Sequence, residues 1–169
     1  MSINDLIDDI LRREGGFVDH KNDRGGATKF GITQDTLTQW RGEPVSVEDV
    51  RRLEFDEAAE IYAARYVTQP KFDQIPYDSV TALVVDCGVN HGVSRATRWL
   101  QKAADVNTDG MVGPVTLSAV KECDPGDLYR AILADRSSFY GRIITNDPSQ
   151  AAFAAGWANR LSEFIEETP

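Results

Sequence analysis

Cysteine is scarce in this chain: Cys87 and Cys123 are the two present. Neither belongs to a close-spaced ligand pair, which excludes a disulfide framework or zinc knuckle and leaves two buried free thiols as the expectation. Histidine is equally rare, and His20 and His91 stand far apart with no metal motif around either. There is no long hydrophobic run. The opening segment, MSINDLIDDILRREGG, alternates apolar with acidic residues, so it reads as neither a secretory signal nor a membrane span. Positive charge is also short, with 18 Lys and Arg against 27 Asp and Glu and a net charge of -9. The basic residues are scattered, so nucleic-acid binding by counterion release has no platform, and neither has attraction to an anionic membrane. Binding to any negatively charged surface must come from local contacts.

What is present is helical periodicity. A length of 169 residues, 41% hydrophobic and 27% charged, suits one sizeable core or two small lobes around a cleft. Ile3, Leu6, Ile7, Ile10 and Leu11 keep the three-four spacing of an amphipathic helix, with Ser2 as N-cap and Gly15-Gly16 as its stop. From Phe17 to Thr33 the pattern turns to glycine, aspartate and short alternating pieces, which predicts a small antiparallel ribbon. Thr33 caps a helix to about Trp40, and Ser46 with Asp49 forms a capping box. Asp56 caps a helix carrying Ile61, Tyr62 and Tyr66, closed before Pro70. A helix from about Asp78 ends at Gly88, and Ser94 caps the next, with Trp99 and Leu100. Pro114 and Pro125 each open a helix, and Phe153, Trp157, Leu161 and Phe164 share one face of the last. The fold class is mainly α, with one small β-ribbon near residues 17-33 and seven or eight helices. A weak boundary falls near residues 88 to 94.

The chemistry points to the N-terminal acidic residues. Glu14 follows Ile10 by four residues and Leu11 by three, which predicts that it projects from the buried face. Burial and the negative end of the helix dipole both favour a protonated carboxyl, the form a general acid needs. Pairing with Arg12 or Arg13, or snorkelling to water, is the structural alternative. Asp23 and Thr28 follow in a segment too rich in glycine to be chosen for packing. A second carboxylate facing the first, with a hydroxyl to orient water between them, is what glycoside hydrolysis requires. An Asx-turn for Asp23 and a strand position for Thr28 are the structural alternatives.

Together, Glu14-Gly-Gly, Asp23-x-Gly-Gly-x-Thr28 and Gly31-Ile32-Thr33 change that balance. The stretch EGGFVDHKNDRGGATKFGIT resembles the signature of glycoside hydrolase family 108, which comprises phage endolysins and secretion-associated N-acetylmuramidases. The order Glu, Asp, Thr also resembles the acid, base and water-positioning set of the wider phage-type lysozymes, with a slightly shorter Asp-to-Thr spacing. The resemblance implies a lysozyme-like α+β fold, no cofactor and no metal. It implies hydrolysis of the β-1,4 bond between N-acetylmuramic acid and N-acetylglucosamine of peptidoglycan, leading to wall lysis. Glu14 would be the general acid, Asp23 the base or electrostatic stabiliser, and Thr28 the residue that positions water. Inversion and retention both remain open.

In the second half, RATRWLQ, DVNTDGMVGPVT and SAV are similar to the small peptidoglycan-binding helical segment that follows the catalytic region in this family. The expected organisation is a lysozyme-like catalytic region at 1-90 and a helical peptidoglycan-binding-like region at 91-169, packed as one compact unit. Asp105-Val-Asn107-Thr-Asp109-Gly110 opens like a calcium loop, but Thr116 occupies the twelfth position, where a bidentate Glu is needed. A turn of side-chain-to-backbone bonds is the better reading. Tyr62 and Tyr66, one turn apart, and Asn90 and His91, at a helix end, are the candidate substrate-binding residues, with core packing and capping as their bland alternatives.

Two rival functions remain. A lytic transglycosylase works with a single Glu, and Asp23 and Thr28 argue against it. The other rival is a non-catalytic wall-binding or secretion scaffold. The expected setting is synthesis in the cytoplasm and action on periplasmic peptidoglycan, reached through a holin or secretion machinery. The enzyme is expected to act as a monomer without membrane insertion.

Overall fold

A computed structural model describes residues 2–19 and 26–166. It is mainly helical, with nine α-helices among the described residues and one two-stranded sheet. The chain divides into two compact units, residues 4–65 and residues 66–169 together with 1–3.

In the first unit α1 (Ile3–Glu14) buries Leu6, Ile7, Ile10 and Leu11, as its spacing predicts, and Gly15 ends it with φ +82°. The ribbon is reduced to β1 (Thr28–Lys29) and β2 (Ile32–Thr33), paired Thr28 with Thr33 and Lys29 with Ile32. An isolated bridge from Val18 to Thr28 widens it. Thr33 accepts the Thr36 N–H and so caps α2 (Gln34–Arg41), which Gly42 closes in the left-handed region. Ser46 and Asp49 cap α3 (Val47–Arg51) reciprocally. The cap of α4 (Phe55–Ala63) is Glu54 rather than Asp56, which sits inside the first turn, where its charge suits the helix dipole. Arg41 joins Glu57 through two hydrogen bonds of 2.9 and 2.7 Å, fastening α2 to α4 and holding the Glu57 carboxyl below the usual range. A five-residue π-helical turn, Ala64–Thr68, follows α4.

The second unit is built on α5 (Asp78–His91), in which Val80 to Gly88 are all buried. The helix runs through Gly88 and stops at Gly92, whose φ of +88° supplies the break. A Cβ at Gly88 would meet the Phe72 ring at 3.5 Å, an ordinary contact, so packing does not require glycine there. The cap of α6 (Val93–Ala103) is accordingly Gly92, not Ser94. Pro114 and Pro125 open α7 (Pro114–Glu122) and α8 (Pro125–Asn146) as expected. A 3-10 segment, Pro148–Phe153, precedes α9 (Ala154–Glu166). That segment carries Phe153 off the helix and into solvent, so the buried face of α9 is Arg160 with Phe164 instead of four apolar residues. Cys87 is buried and its thiol is pushed up to about 12 by desolvation, whereas Cys123 is only half-buried, against expectation.

The calcium-like segment is a turn. Buried Gln101 donates to Asp109 Oδ1 at 2.7 Å and to the Met111 carbonyl at 3.0 Å, and accepts from the Gly110 N–H.

The deepest polar feature lies under α5. Asp86, fully buried, accepts two hydrogen bonds from Arg160 and stands 2.7 Å from Nη1 of Arg136, itself fully buried. The latter contact is close enough for charge pairing yet off the hydrogen-bond direction, and Arg136 Nη1 and Nη2 bond to no described residue. Replacing Asp86 would strand the buried Arg136 guanidinium and leave Arg160 with Glu163. Asp86→Ala is expected to lose about 3–5 kcal/mol of stability, read as a fall in the urea midpoint relative to wild type. A midpoint within error of wild type would remove the cluster from the list of stabilising features.

Candidate active site

Glu14 is the last residue of α1, and its side chain does not join the buried stripe: it is exposed. The spacing from Ile10 and Leu11 misleads here because the helix ends at this residue and the chain turns away at Gly15. The carboxyl lies instead beside the β1–β2 turn. Phe30 and Gly31 form that turn with φ of 53° and 72°, the two positive values that a tight two-residue hairpin demands. Glycine accepts this conformation, but phenylalanine is strained by it. Three contacts hold Phe30 in place. Its N–H donates to the Gly15 carbonyl at 3.1 Å, its carbonyl accepts the Tyr62 hydroxyl at 3.0 Å, and its ring meets Phe55 edge-on at 5.7 Å.

Gly31 is then the point where two chemical groups meet. A Cβ at this position would stand 2.7 Å from the Tyr62 hydroxyl and 3.0 Å from Glu14 Oε2. The absent side chain lets a carboxyl and a phenol close on the turn, one from the end of α1 and one from α4. Arg13, beside Glu14, pairs with Asp9 at 2.9 Å. Thr28 is half-buried two residues before the turn, with its backbone bonded to Val18 in both directions. Asp23 lies outside the described residues, as does His20.

Of the candidate residues, the structure brings Glu14 and Tyr62 together and sets Thr28 on the same hairpin. Tyr66 belongs to the second unit, half-buried on the π-helical turn. Asn90 and His91 also belong to that unit, at the end of α5. Asn90 is exposed and donates to the Asp86 carbonyl at 2.9 Å. His91 is half-buried among Trp99, Phe139 and Tyr140, and its Nε2 lies 3.1 Å from the Tyr140 hydroxyl. Desolvation, helped by the charge of Arg136 and then Arg95, lowers its pKa to about 4, with Asp86 opposing. Sequence reasoning passed over Asp86, Arg136 and Arg160. The signal was there in a lone aspartate within the apolar run VTALVVDCG, where a charge needs a buried partner.

A family model described as Glycosyl hydrolase 108 matches residues 7–92, and one described as Predicted Peptidoglycan domain matches residues 93–162. The two meet at the break between α5 and α6. Comparison with curated proteins gives no match. Among solved structures the chain is similar to one titled "Structure of Brucella abortus SagA", at 30% identity and a TM-score of 0.77, covering 98% of this chain and 92% of that one.

Two outcomes are expected. Gly31→Ala and Gly42→Ala both force an L-residue into positive φ and should each lose about 1–2 kcal/mol. Only at Gly31 does the new methyl meet side chains, because Gly42 faces open space. Hydrolysis of purified cell walls should therefore fall sharply for Gly31→Ala alone; equal rates for the two variants would show that this close approach to Glu14 has no catalytic role. The second concerns His91. Native His91 stays neutral down to about 4, whereas the unfolded chain protonates it near 6.5. Between those values the unfolded state binds more protons, so this contribution is full above about 6.5 and is lost as pH falls towards 4. Thermal melts at pH 7 and pH 5 should show a smaller acid-induced drop for His91→Asn than for wild type.

Proposed function

The chain belongs to the glycosyl hydrolase 108 family, and from that premise we propose that it cleaves the β-1,4 bond between N-acetylmuramic acid and N-acetylglucosamine with Glu14 as general acid. It is a glycoside hydrolase acting on peptidoglycan, a substrate that also accords with the peptidoglycan domain over residues 93–162. The observation that carries the assignment of Glu14 is its position, exposed at the end of α1 with its carboxyl against the Gly31 turn. A carboxyl in this place is open to a long polymer laid across it. The polymer itself then shuts water out, which strengthens the hydrogen bond from the carboxyl to the departing oxygen.

In the proposed reaction Glu14 gives its proton to the glycosidic oxygen as the bond to the anomeric carbon breaks. Asp23 either takes a proton from the attacking water or stabilises the oxocarbenium-like centre, and Thr28 orients that water. Tyr62 holds the hairpin through the Phe30 carbonyl, so it sets the height of the turn against Glu14. We assign the lysozyme-like catalytic region to 1-90 and the peptidoglycan-binding-like region to 91-169. The enzyme acts as a monomer on periplasmic peptidoglycan and lyses the wall, with a holin or secretion machinery as its route there. No helix of the described residues is long and apolar enough to cross a membrane.

Glu14→Gln keeps the shape of the side chain and removes the transferable proton. Clearing of purified cell walls should slow by about 10²–10⁴-fold, with little change in melting temperature. Equal rates would remove Glu14 as the acid. Mass spectrometry of the wild-type digest should show reducing muramic ends; exclusively anhydro-muramic products would establish a transglycosylase instead.

A further inference from the structure

The second unit carries a separate cavity of about 320 Å³, bordered by Asn90, His91, Arg95, Phe139, Tyr140 and Trp157 among others. It opens where the ends of α5 and α6 meet α8 and α9. Aromatic faces make its wall. Trp157 lies parallel to Tyr140 with ring centres 4.8 Å apart and planes inclined by 8°. Phe153, more than half exposed, extends this surface from 6.2 Å away.

Its charge is unlike that of the chain as a whole. No lining residue is acidic, although the protein carries a net charge of -9. The Arg95 guanidinium lies 4.2 Å over the centre of the Phe139 ring, and that of Arg142 lies 6.0 Å from the same ring. An aromatic wall with cations at its edge suits a ligand that combines an apolar face with a carboxylate.

The cavity is also built rigidly. Arg136 Nε donates to the Tyr140 hydroxyl at 3.2 Å, and that hydroxyl also meets His91. One helical turn separates Arg136 from Tyr140 on α8, and about one turn separates Trp157 from Arg160 on α9. Both arginines are held by buried Asp86. The two stacked rings are therefore positioned from below by a charged cluster, and a ligand meets a wall already in place.

We propose that this cavity binds the N-acetylmuramoyl-peptide portion of peptidoglycan, with sugar and acetyl faces against the side of Trp157 that Tyr140 leaves free and a carboxylate on Arg95. The proposal rests on the reading of peptidoglycan as substrate and adds the place where a strand is held apart from Glu14. An aromatic face alone would accept any glycan; the Arg95 guanidinium selects one bearing a carboxylate.

The test uses the full chain carrying Glu14→Gln, so that ligand is not consumed, with two probes: the soluble disaccharide-tetrapeptide GlcNAc-MurNAc-peptide, and neutral chitotetraose. Binding is read by calorimetry. Arg95→Ala, a change at an exposed position, should weaken the glycopeptide about tenfold or more and leave chitotetraose nearly unaffected. Trp157→Ala should weaken both, and Trp157→Phe should restore much of the loss. Circular dichroism melts confirm that each variant is folded, and Arg95→Ala alone suffices if Trp157→Ala is not. Glycopeptide affinity unchanged by Arg95→Ala, or no binding by the Glu14→Gln parent, would overturn the proposal. Wall cleavage by wild type alongside that result leaves the hydrolase reading standing. Arg95-dependent binding by a chain that cleaves no wall does the reverse.

Discussion

One buried carboxylate sets the geometry of the larger unit. Asp86 sits on a helix buried from Val80 to Gly88 and draws in an arginine from α8 and another from α9. Arg160 is shared with Glu163, so two positive and two negative groups balance within the cluster. Desolvating such a set is expensive, and hydrophobic side chains of similar volume often serve stability as well. What apolar packing does not supply is register. Helices of this kind slide and rotate over a greasy surface, whereas a guanidinium aimed at one carboxylate fixes both the height and the rotation of its helix. Each arginine stands about one turn from a ring of the aromatic wall, so a fixed rotation becomes a fixed wall.

The smaller unit solves its positioning problem by backbone means. Its hairpin has two strands of two residues each, too little to hold a shape alone. The turn is instead gripped from outside, by Gly15 at the end of α1 and by Tyr62 of α4, and a phenylalanine is kept in a left-handed conformation that it would leave if released. Strain of this kind persists only where the surroundings over-determine it. Here the surroundings are the elements that carry Glu14 and the phenol beside it.

Much of the helical fold was legible because the signals are local. Thr33, the Ser46-Asp49 box, Pro114 and Pro125 act within three or four residues of where they stand, and each did what its chemistry predicts. Errors arose where one signal admits two outcomes. Gly88 reads as a stop, but the helix runs through it to Gly92; Phe153 reads as the start of a helix face, but Asp147 and Pro148 open a 3-10 segment first. The site divides the same way. Glu14 was singled out by its surrounding pattern, yet what its carboxyl lies against depends on a hairpin folding next to it, which no helical spacing encodes. Asp86, Arg136 and Arg160 are separated by tens of residues, and only the packed core pairs them.

The contact between Tyr140 and His91 has a directional consequence. A guanidinium can only donate, so the Arg136 bond occupies a lone pair of the Tyr140 oxygen. The hydroxyl proton is then best used towards His91 Nε2, which places the imidazole proton on Nδ1. The ring is held as one of its two neutral tautomers, and nitrogen NMR shifts report which one. Charge buried under α5 thus sets the polarity of a ring at the protein surface, through two hydrogen bonds that both point outward.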